Sequence, residues 1–114
     1  GKNMKKLLLG MVMAVASLAT AGTAVAGTQT GRVTSVHVRH NDGLIYFTLE
    51  GTISARAGCA ANDLWIVQAE NSDNANKQLA ALLTARAADL PVTVSGSGAC
   101  TRWVNSEDAD EIIF

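Results

Sequence analysis

The chain has 114 residues, and its ten acidic and nine basic side chains give a formal net charge of −1. Lys2, Lys5 and Lys6 supply three of the basic residues, so six basic and ten acidic residues follow position 26, a net charge of −4. This balance argues against nucleic acid as a partner, because neutralising phosphates requires clustered Lys and Arg. The length limits the part after position 26 to one small domain.

Residues 1–26 have the three-part layout of a secretory signal peptide. A positively charged start precedes an apolar run at residues 7–18, and small residues follow up to Ala26. The run is shorter than the roughly 20 residues that a membrane-spanning helix needs. We therefore expect cleavage before Gly27, export to the periplasm or the exterior of a bacterium, and a mature domain at 27–114 that is not inserted in a membrane.

The two cysteines, Cys59 and Cys100, suit an exported protein, because an oxidising compartment allows them to pair. A metal site is the alternative, but neither cysteine belongs to a Cys-x-x-Cys motif or has a histidine close to it. The two histidines, His37 and His40, are three residues apart, which places them on opposite faces of a strand. The sequence therefore predicts a structural disulfide, with no bound metal or other cofactor.

Two segments rich in β-branched and aromatic residues, 32–40 and 44–53, flank Asp42 and Gly43. An Asp-Gly pair between two such segments predicts a β-hairpin with a two-residue turn, in which both central residues have a positive φ. A three-residue loop is the alternative, but it would pair polar residues with apolar ones. The two-residue turn keeps the strongly apolar side chains on one face, because a slip of one residue moves every side chain of a strand to the other face.

The two-residue turn sets the cross-strand pairs. On the core face they are Val38 with Phe47, Val36 with Leu49 and His40 with Ile45. On the outer face they are Arg39 with Tyr46, His37 with Thr48 and Ser35 with Glu50.

The rest of the chain predicts a helix between short strands. Residues 64–67 are a continuous apolar run, typical of a strand buried on both faces. The polar residues 71–74 offer helix N-caps, and the helical pattern continues to Asp89, before Pro91. The leucines at helical spacing, which we expect to form the buried face, are Leu79, Leu82, Leu83 and Leu90.

The last third of the chain predicts two more strands. Residues 92–94 form one and 111–114 the other. Between them, the carboxylates in residues 105–111 match no calcium-loop spacing, so we expect a solvated acidic loop. These carboxylates belong to Glu107, Asp108, Asp110 and Glu111.

The resulting order is β-β-β-α-β-β, a mostly β domain with one helix. This order is that of the OB-fold, a five-stranded, partly open barrel with a helix between its third and fourth strands. We therefore expect an OB-fold-like barrel in which the leucine face of the helix closes one end. The alternative is an α+β open sheet with one packed helix.

Several of these sequence features recur together in other proteins. They are an exported start, a Gly-x-Val first strand, a Cys-Ala pair before a Trp strand, and an Ala/Leu-rich helix that leads into Pro-Val-x-Val and a Cys. The residues that carry the pattern are Gly31, Val33, Val36, Val38, Cys59, Ala60, Trp65, 79–83, 92–94 and Cys100. The pattern resembles small uncharacterised exported proteins of Gram-negative bacteria, and its layout is similar to the B subunits of subtilase-type AB toxins. The resemblance implies an OB-fold-like domain and allows ring assembly and glycan binding. No segment of this chain clearly matches the sugar-contacting segment of those toxin subunits.

The outer hairpin face offers the best candidate binding residues, since it combines an aromatic side chain, a cation and hydrogen-bond donors. They are Arg39, Tyr46, His37 and Thr48, with Trp103 as a further aromatic. No nucleophile–base set is visible, so we expect no enzymatic activity. The expected function is an exported binding module for a glycan or cell-envelope component. The alternative is a protein-interaction subunit, either a toxin-B-like ring former or a small inhibitor of an envelope enzyme.

Overall fold

A computed structural model describes residues 25–114, so nearly all of the predicted signal peptide lies outside the described residues. The elements of the described chain are β1 (Thr28–Val38), β2 (Ile45–Leu49), β3 (Trp65–Val67), α1 (Asp73–Ala88), β4 (Pro91–Gly96) and β5 (Glu107–Ile113). The predicted order of three strands, a helix and two strands is confirmed.

The five strands form one mixed sheet whose pairings close on themselves. Each strand pairs with two neighbours, and the order around the ring is β1-β2-β3-β5-β4 and back to β1. All pairs are antiparallel except β3 with β5, which is parallel. The described domain is therefore mostly β, with one helix.

Trp65 fills the middle of the ring and touches all four other strands. Its backbone pairs with Phe47 of β2 and with Glu107 of β5. Its indole Nε1 donates a hydrogen bond of 2.8 Å to Oε1 of Gln29 in β1. On β4, a Cβ added to Gly96 would lie 2.8 Å from Cζ3 of the indole. All three residues of β3 are buried, as the apolar run at 64–67 predicts.

The hairpin between β1 and β2 does not have the predicted register. The predictions that Val38 faces Phe47 and that Arg39 faces Tyr46 are wrong. The observed pairs are Ser35 with Thr48, Val36 with Phe47, His37 with Tyr46 and Val38 with Ile45.

The register differs from the predicted one because the loop between the strands is longer than a two-residue turn. Arg39 N donates to the carbonyl of Leu44 at 2.9 Å, so four residues, 40–43, form the loop. Oδ1 of Asp42 accepts from Leu44 N at 3.1 Å and from Nε of Arg39 at 3.1 Å. Only Gly43 of the Asp-Gly pair has a positive φ, at 74°, whereas the two-residue turn needs both. The aspartate side chain therefore stabilises the four-residue loop.

A β-bulge in β1 changes which side chains face the core. It lies between Val33 and Ser35, and it places both Val33 and Val36 on the core side. Nη1 of Arg86 in α1 donates to the carbonyls of Val33 and Thr34, at 2.8 and 2.9 Å. Beyond the bulge Val38 is 62% exposed, so the prediction that it packs in the core is wrong.

The helix has the predicted ends but a narrower buried face. Its N-cap is Ser72, and after Ala88 the residue Asp89 adopts a left-handed conformation with φ 54°. Leu83 and Leu90 are about half exposed, so the predicted four-leucine face is wrong for these two. The helix residues that are buried are Ala75, Leu82 and Ala85, and Leu79 packs partly against the core.

β5 begins at Glu107, four residues earlier than predicted. Glu107 and Asp108 are 2% and 0% exposed, so the prediction of a solvated acidic loop is wrong for these two carboxylates. Parallel pairing with β3 draws them into the ring, where main-chain N–H groups satisfy both. Asp110 and Glu111 are exposed, as expected.

The predicted cysteine pair is confirmed. The sulfurs of Cys59 and Cys100 lie 2.11 Å apart, and their Cα atoms are 6.1 Å apart. The pair links the loop before β3 to the loop after β4.

We predict that Gly96→Ala lowers the free energy of unfolding by about 1–3 kcal/mol, because overpacked cores lose stability of that order. The new Cβ would lie 1.8 Å from Oε2 of Glu107 and 2.8 Å from Cζ3 of Trp65. Urea denaturation followed by tryptophan fluorescence measures the change. Gly58→Ala is the matched control, since a Cβ there would have no described atom within 4 Å apart from those of Gly58 and its two chain neighbours. Equal midpoints for the two variants would contradict the packing around Gly96.

We also predict that replacing Cys59 and Cys100 together by serine lowers the free energy of unfolding by roughly 4 kcal/mol. The cysteines are 41 residues apart, and opening a loop of that size restores entropy to the unfolded chain. Guanidinium denaturation of the double variant, beside wild type with and without reductant, measures the loss. A reduced wild-type protein as stable as the oxidised one would argue against this contribution.

Candidate functional site

A cleft of about 200 Å³ lies on the outer side of the ring, over the junction of β2 and β3. The residues that line it are Arg39, Leu44, Tyr46, Leu64, Ile66 and Trp103. Leu44 and Ile66 are almost fully buried and give the cleft an apolar base. Three of the five predicted binding residues, Arg39, Tyr46 and Trp103, therefore meet at one place.

Strand alternation explains how the cleft forms. On β2, Ile45 and Phe47 point into the core, so Tyr46 between them points outward. On β3, Trp65 points inward and Ile66 points outward, directly opposite Tyr46 in the register. The loops around this pair cover Ile66, which is only 1% exposed although it lies outside the ring.

Two contacts fix Arg39 at the edge of the cleft. Its Cζ lies 4.9 Å from the ring centroid of Trp103, within the range of a cation–π interaction. Its guanidinium also forms a two-point ion pair with the carboxylate of Asp42. The cation is therefore held between the hairpin loop and the loop that precedes β5.

A second arginine links the loops around the cleft. Nη2 of Arg102 lies 2.9 Å from Oε1 of Glu70, and its Nε donates to both oxygens of that carboxylate, at 3.0 and 3.2 Å. Nη2 also donates to the main-chain carbonyl of Asp42 at 3.2 Å. Arg39, Asp42, Glu70 and Arg102 form what we call the charged quartet. It connects the β1–β2, β3–α1 and β4–β5 loops.

Mutual ion pairing keeps the charged quartet ionised. The side-chain bond from Arg39, helped by the N–H of Leu44, lowers the pKa of Asp42 from 3.8 to about 2. The bond from Arg102 lowers the pKa of Glu70. The pKa values of Arg39 and Arg102 are raised, first by their bonds to Asp42 and Glu70. Two positive and two negative charges thus balance beside the cleft.

The other two predicted binding residues do not line the cleft. His37 stacks on Tyr46, with ring centroids 4.3 Å apart and an interplanar angle of 5°. Thr48 Oγ1 lies 2.6 Å from the hydroxyl oxygens of both Thr34 and Ser35. His37 therefore covers one face of the Tyr46 ring, and Thr48 belongs to a separate hydroxyl cluster.

Sequence reasoning missed the apolar base and half of the charged quartet. Ile66 lies within an apolar run that indicates a strand buried on both sides, but the run does not show what covers its outer side. Glu70 and Arg102 are 32 residues apart, so no local pattern joins them. The Arg39-to-Asp42 spacing was the one available signal, because side chains three residues apart can meet across a loop.

The described residues, 25–114, contain no group of three or more His, Cys, Asp or Glu side chains placed to hold a metal ion. His40 is exposed in the hairpin loop. Over the same residues, no helix has the length and apolar character needed to cross a membrane.

Comparison with known proteins gives no relative. No protein-family model, no curated protein and no solved structure matches the chain. The resemblance to exported Gram-negative proteins and to toxin B subunits therefore stays a prediction, and the geometry of the cleft carries the functional argument.

We predict that the carboxyl of Asp42 titrates near pH 2 and that Arg39→Gln moves its pKa up towards 3.8, because the largest cause of the shift is removed. A pKa lowered in the folded state favours folding above pH 3.8, and this contribution is lost as the pH falls through about 2. Side-chain carboxyl NMR measures the titration. Arg32→Gln is the control, since Arg32 pairs with the distant Asp89. Titration of wild-type Asp42 near 3.8 would refute the ion pair.

Proposed function

We propose that the protein is an exported, non-enzymatic binding module with OB-fold architecture. Its ligand is a neutral glycan, or a cell-envelope component that carries one, and it binds in the cleft between Arg39, Tyr46 and Trp103. One observation carries the proposal: two aromatic side chains and a fixed guanidinium meet over an apolar base.

The order of the ring supports the architecture. OB-folds bind oligosaccharides and oligonucleotides on the face of their second and third strands and through the β1–β2 and β4–β5 loops. Here the cleft lies over β2 and β3, with Arg39 from the β1–β2 connection and Trp103 from the β4–β5 connection. Since a fold by itself does not imply a function, the chemistry of the cleft has to support the ligand class.

The cleft side chains suit the two kinds of surface on a sugar. A sugar ring has an apolar C–H face, which packs well on an aromatic ring, and hydroxyl edges, which need donors and acceptors. Trp103 keeps 37% of its surface exposed and offers an aromatic face, while Tyr46 adds a second ring and a hydroxyl. The ion pair with Asp42 and the contact with Trp103 hold Arg39 in place, so binding loses less side-chain entropy.

The charges favour a neutral ligand over a polyanion. The charged quartet is balanced, and residues 27–114 carry a net charge of −4. A phosphate-rich chain needs several unpaired cations, whereas Arg39 and Arg102 are each paired with a carboxylate.

The composition of the cleft supports binding without catalysis. Of its six described lining residues, Arg39 and Tyr46 are the ones that ionise, and Arg39 is bound to Asp42. Hydrolysis of a bound glycan would need a carboxylate or another nucleophile paired with a base, and the lining set includes neither.

A protein partner is the second candidate, in which the chain is a ring-forming subunit or an inhibitor of an envelope enzyme. The observation that favours it is that apolar side chains next in sequence to two of the cleft residues are exposed. Val104, next to Trp103, is 84% exposed, and Val38, next to Arg39, is 62% exposed. Sedimentation velocity distinguishes a stable ring from a monomer.

We predict that wild-type protein binds a neutral oligosaccharide on a glycan array and that Trp103→Ala weakens this binding at least about tenfold. Truncating an aromatic hot-spot residue to alanine costs about 2 kcal/mol or more, and about 1.4 kcal/mol corresponds to a factor of ten in affinity. Isothermal titration with the best array ligand measures the change, and thermal melting checks the fold.

Val104→Ala is the matched control, because Val104 neighbours Trp103 and is exposed but does not line the cleft. Its affinity should remain within twofold of wild type. Unchanged binding by Trp103→Ala would place the ligand elsewhere. A glycan array without signal, together with a stable ring in sedimentation, would favour the protein-interaction function.

A further inference from the structure

Glu107 is a buried carboxylate without a cation beside it. It is 2% exposed, and the ion pairs of the described residues do not include it. Its oxygens accept main-chain N–H groups, from Gly98 at 2.9 Å and from Gly27 at 3.1 and 3.3 Å. Hydrogen bonds satisfy the oxygens, but burial of an unpaired charge still disfavours the folded state.

The main chain around Glu107 makes room for this carboxylate. A Cβ on Gly96 would lie 1.8 Å from Oε2, and a Cβ on Gly27 would lie 2.9 Å from Oε1 and 3.2 Å from Cγ2 of Ile53. The absence of side chains at Gly27 and Gly96 lets the nitrogen of Gly27 lie directly against the carboxylate. Two main-chain nitrogens, those of Gly27 and Gly98, therefore lie against the carboxylate.

Gly27 is also the first residue after the predicted cleavage site. Val25 is 52% exposed and Ala26 is exposed, whereas Gly27 is buried. The chain thus emerges into solvent at the Ala26–Gly27 bond. In the uncut chain the nitrogen of Gly27 is a neutral amide, but after cleavage it becomes the α-amino group of the mature protein.

We propose that cleavage before Gly27 supplies the missing counter-charge, and that the new α-ammonium group forms a buried ion pair with Glu107. Hydrolysis by a signal peptidase consumes one water molecule. The Ala26 carbonyl gains the oxygen and leaves as a carboxylate, and the Gly27 nitrogen gains two protons and becomes an ammonium. Removal of the leader therefore completes the core of the ring. This inference rests on the export in the proposed function but does not depend on the cleft.

The first experiment establishes the N-terminus and then tests the ion pair. The full chain is exported in a bacterial host, and the intact mass of the purified protein is expected to correspond to Gly27 as the first residue. Next, mature protein is compared with protein that begins at Ala26, each with wild-type Glu107 and with Glu107→Gln. Both proteins are produced with an N-terminal fusion partner, and cleavage of that partner leaves Gly27 or Ala26 as the first residue.

Retaining Ala26 should raise the unfolding equilibrium constant at least tenfold when Glu107 is present, and less than threefold in Glu107→Gln. The difference arises because the extension replaces the ammonium by a neutral amide, which matters only opposite a charged carboxylate. Equal effects in both backgrounds would overturn the ion pair, and a first residue other than Gly27 would overturn the proposal at its first step.

Amine labelling gives a second test on wild-type protein, should Glu107→Gln not fold. After residue 26 the amines are the α-amine of Gly27 and the side chain of Lys77, which is exposed on α1. In an unfolded chain near pH 7 the α-amine reacts first, because its ordinary pKa is about 7.7–8.0 against about 10.4 for lysine.

In the folded mature protein we expect the α-amine to react at least tenfold more slowly than in urea, and Lys77 to react within twofold of its rate in urea. Acetylation followed by peptide mass spectrometry measures both rates. A Gly27 amine that reacts as fast in the folded protein as in urea would show that it is not buried against Glu107, and would overturn the proposal.

Discussion

The indole of Trp65 is the contact on which the rest of the structure depends, because the five strands close into a ring only if its centre is filled. Its strand, β3, has three residues, yet the side chain reaches β1 and β4 while the backbone pairs with β2 and β5. Gln29 accepts the indole N–H and also donates to the carbonyls of Leu49 and Gly51, at 3.2 and 2.8 Å. One buried amide thus fixes the indole and the end of β2 together.

Trp65 also determines what else the interior can hold. The carboxylate of Glu107 occupies the remaining space beside the indole, and Gly96 is the residue that leaves this space open. A charged group in such a place requires main-chain donors, and Gly98 and Gly27, the residue before β1, supply them. The centre of the ring and the beginning of the described domain are therefore physically coupled, which is the basis for relating maturation to stability.

The same strand produces the proposed binding surface. Because Trp65 points inward, Ile66 must point outward, and an apolar side chain outside the ring needs a cover. Leu44 and Trp103 from the neighbouring loops provide it, and the charged quartet holds those loops in position. The cleft is thus a consequence of covering Ile66, and its opening is flanked by Arg39 and Trp103, to which we assign ligand binding in our proposal.

The sequence alone determined what local chemistry controls: the order of strands and helix, the caps of α1, the buried run around Trp65 and the cysteine pair. It also singled out Arg39, Tyr46 and Trp103, although it paired the first two wrongly. Tertiary structure decided the hairpin register, because the carboxylate of Asp42 favours a four-residue loop over the turn that Asp-Gly suggests. It likewise decided the burial of Glu107, since its partner strand and donors lie far away in sequence, and only closure of the ring brings them together.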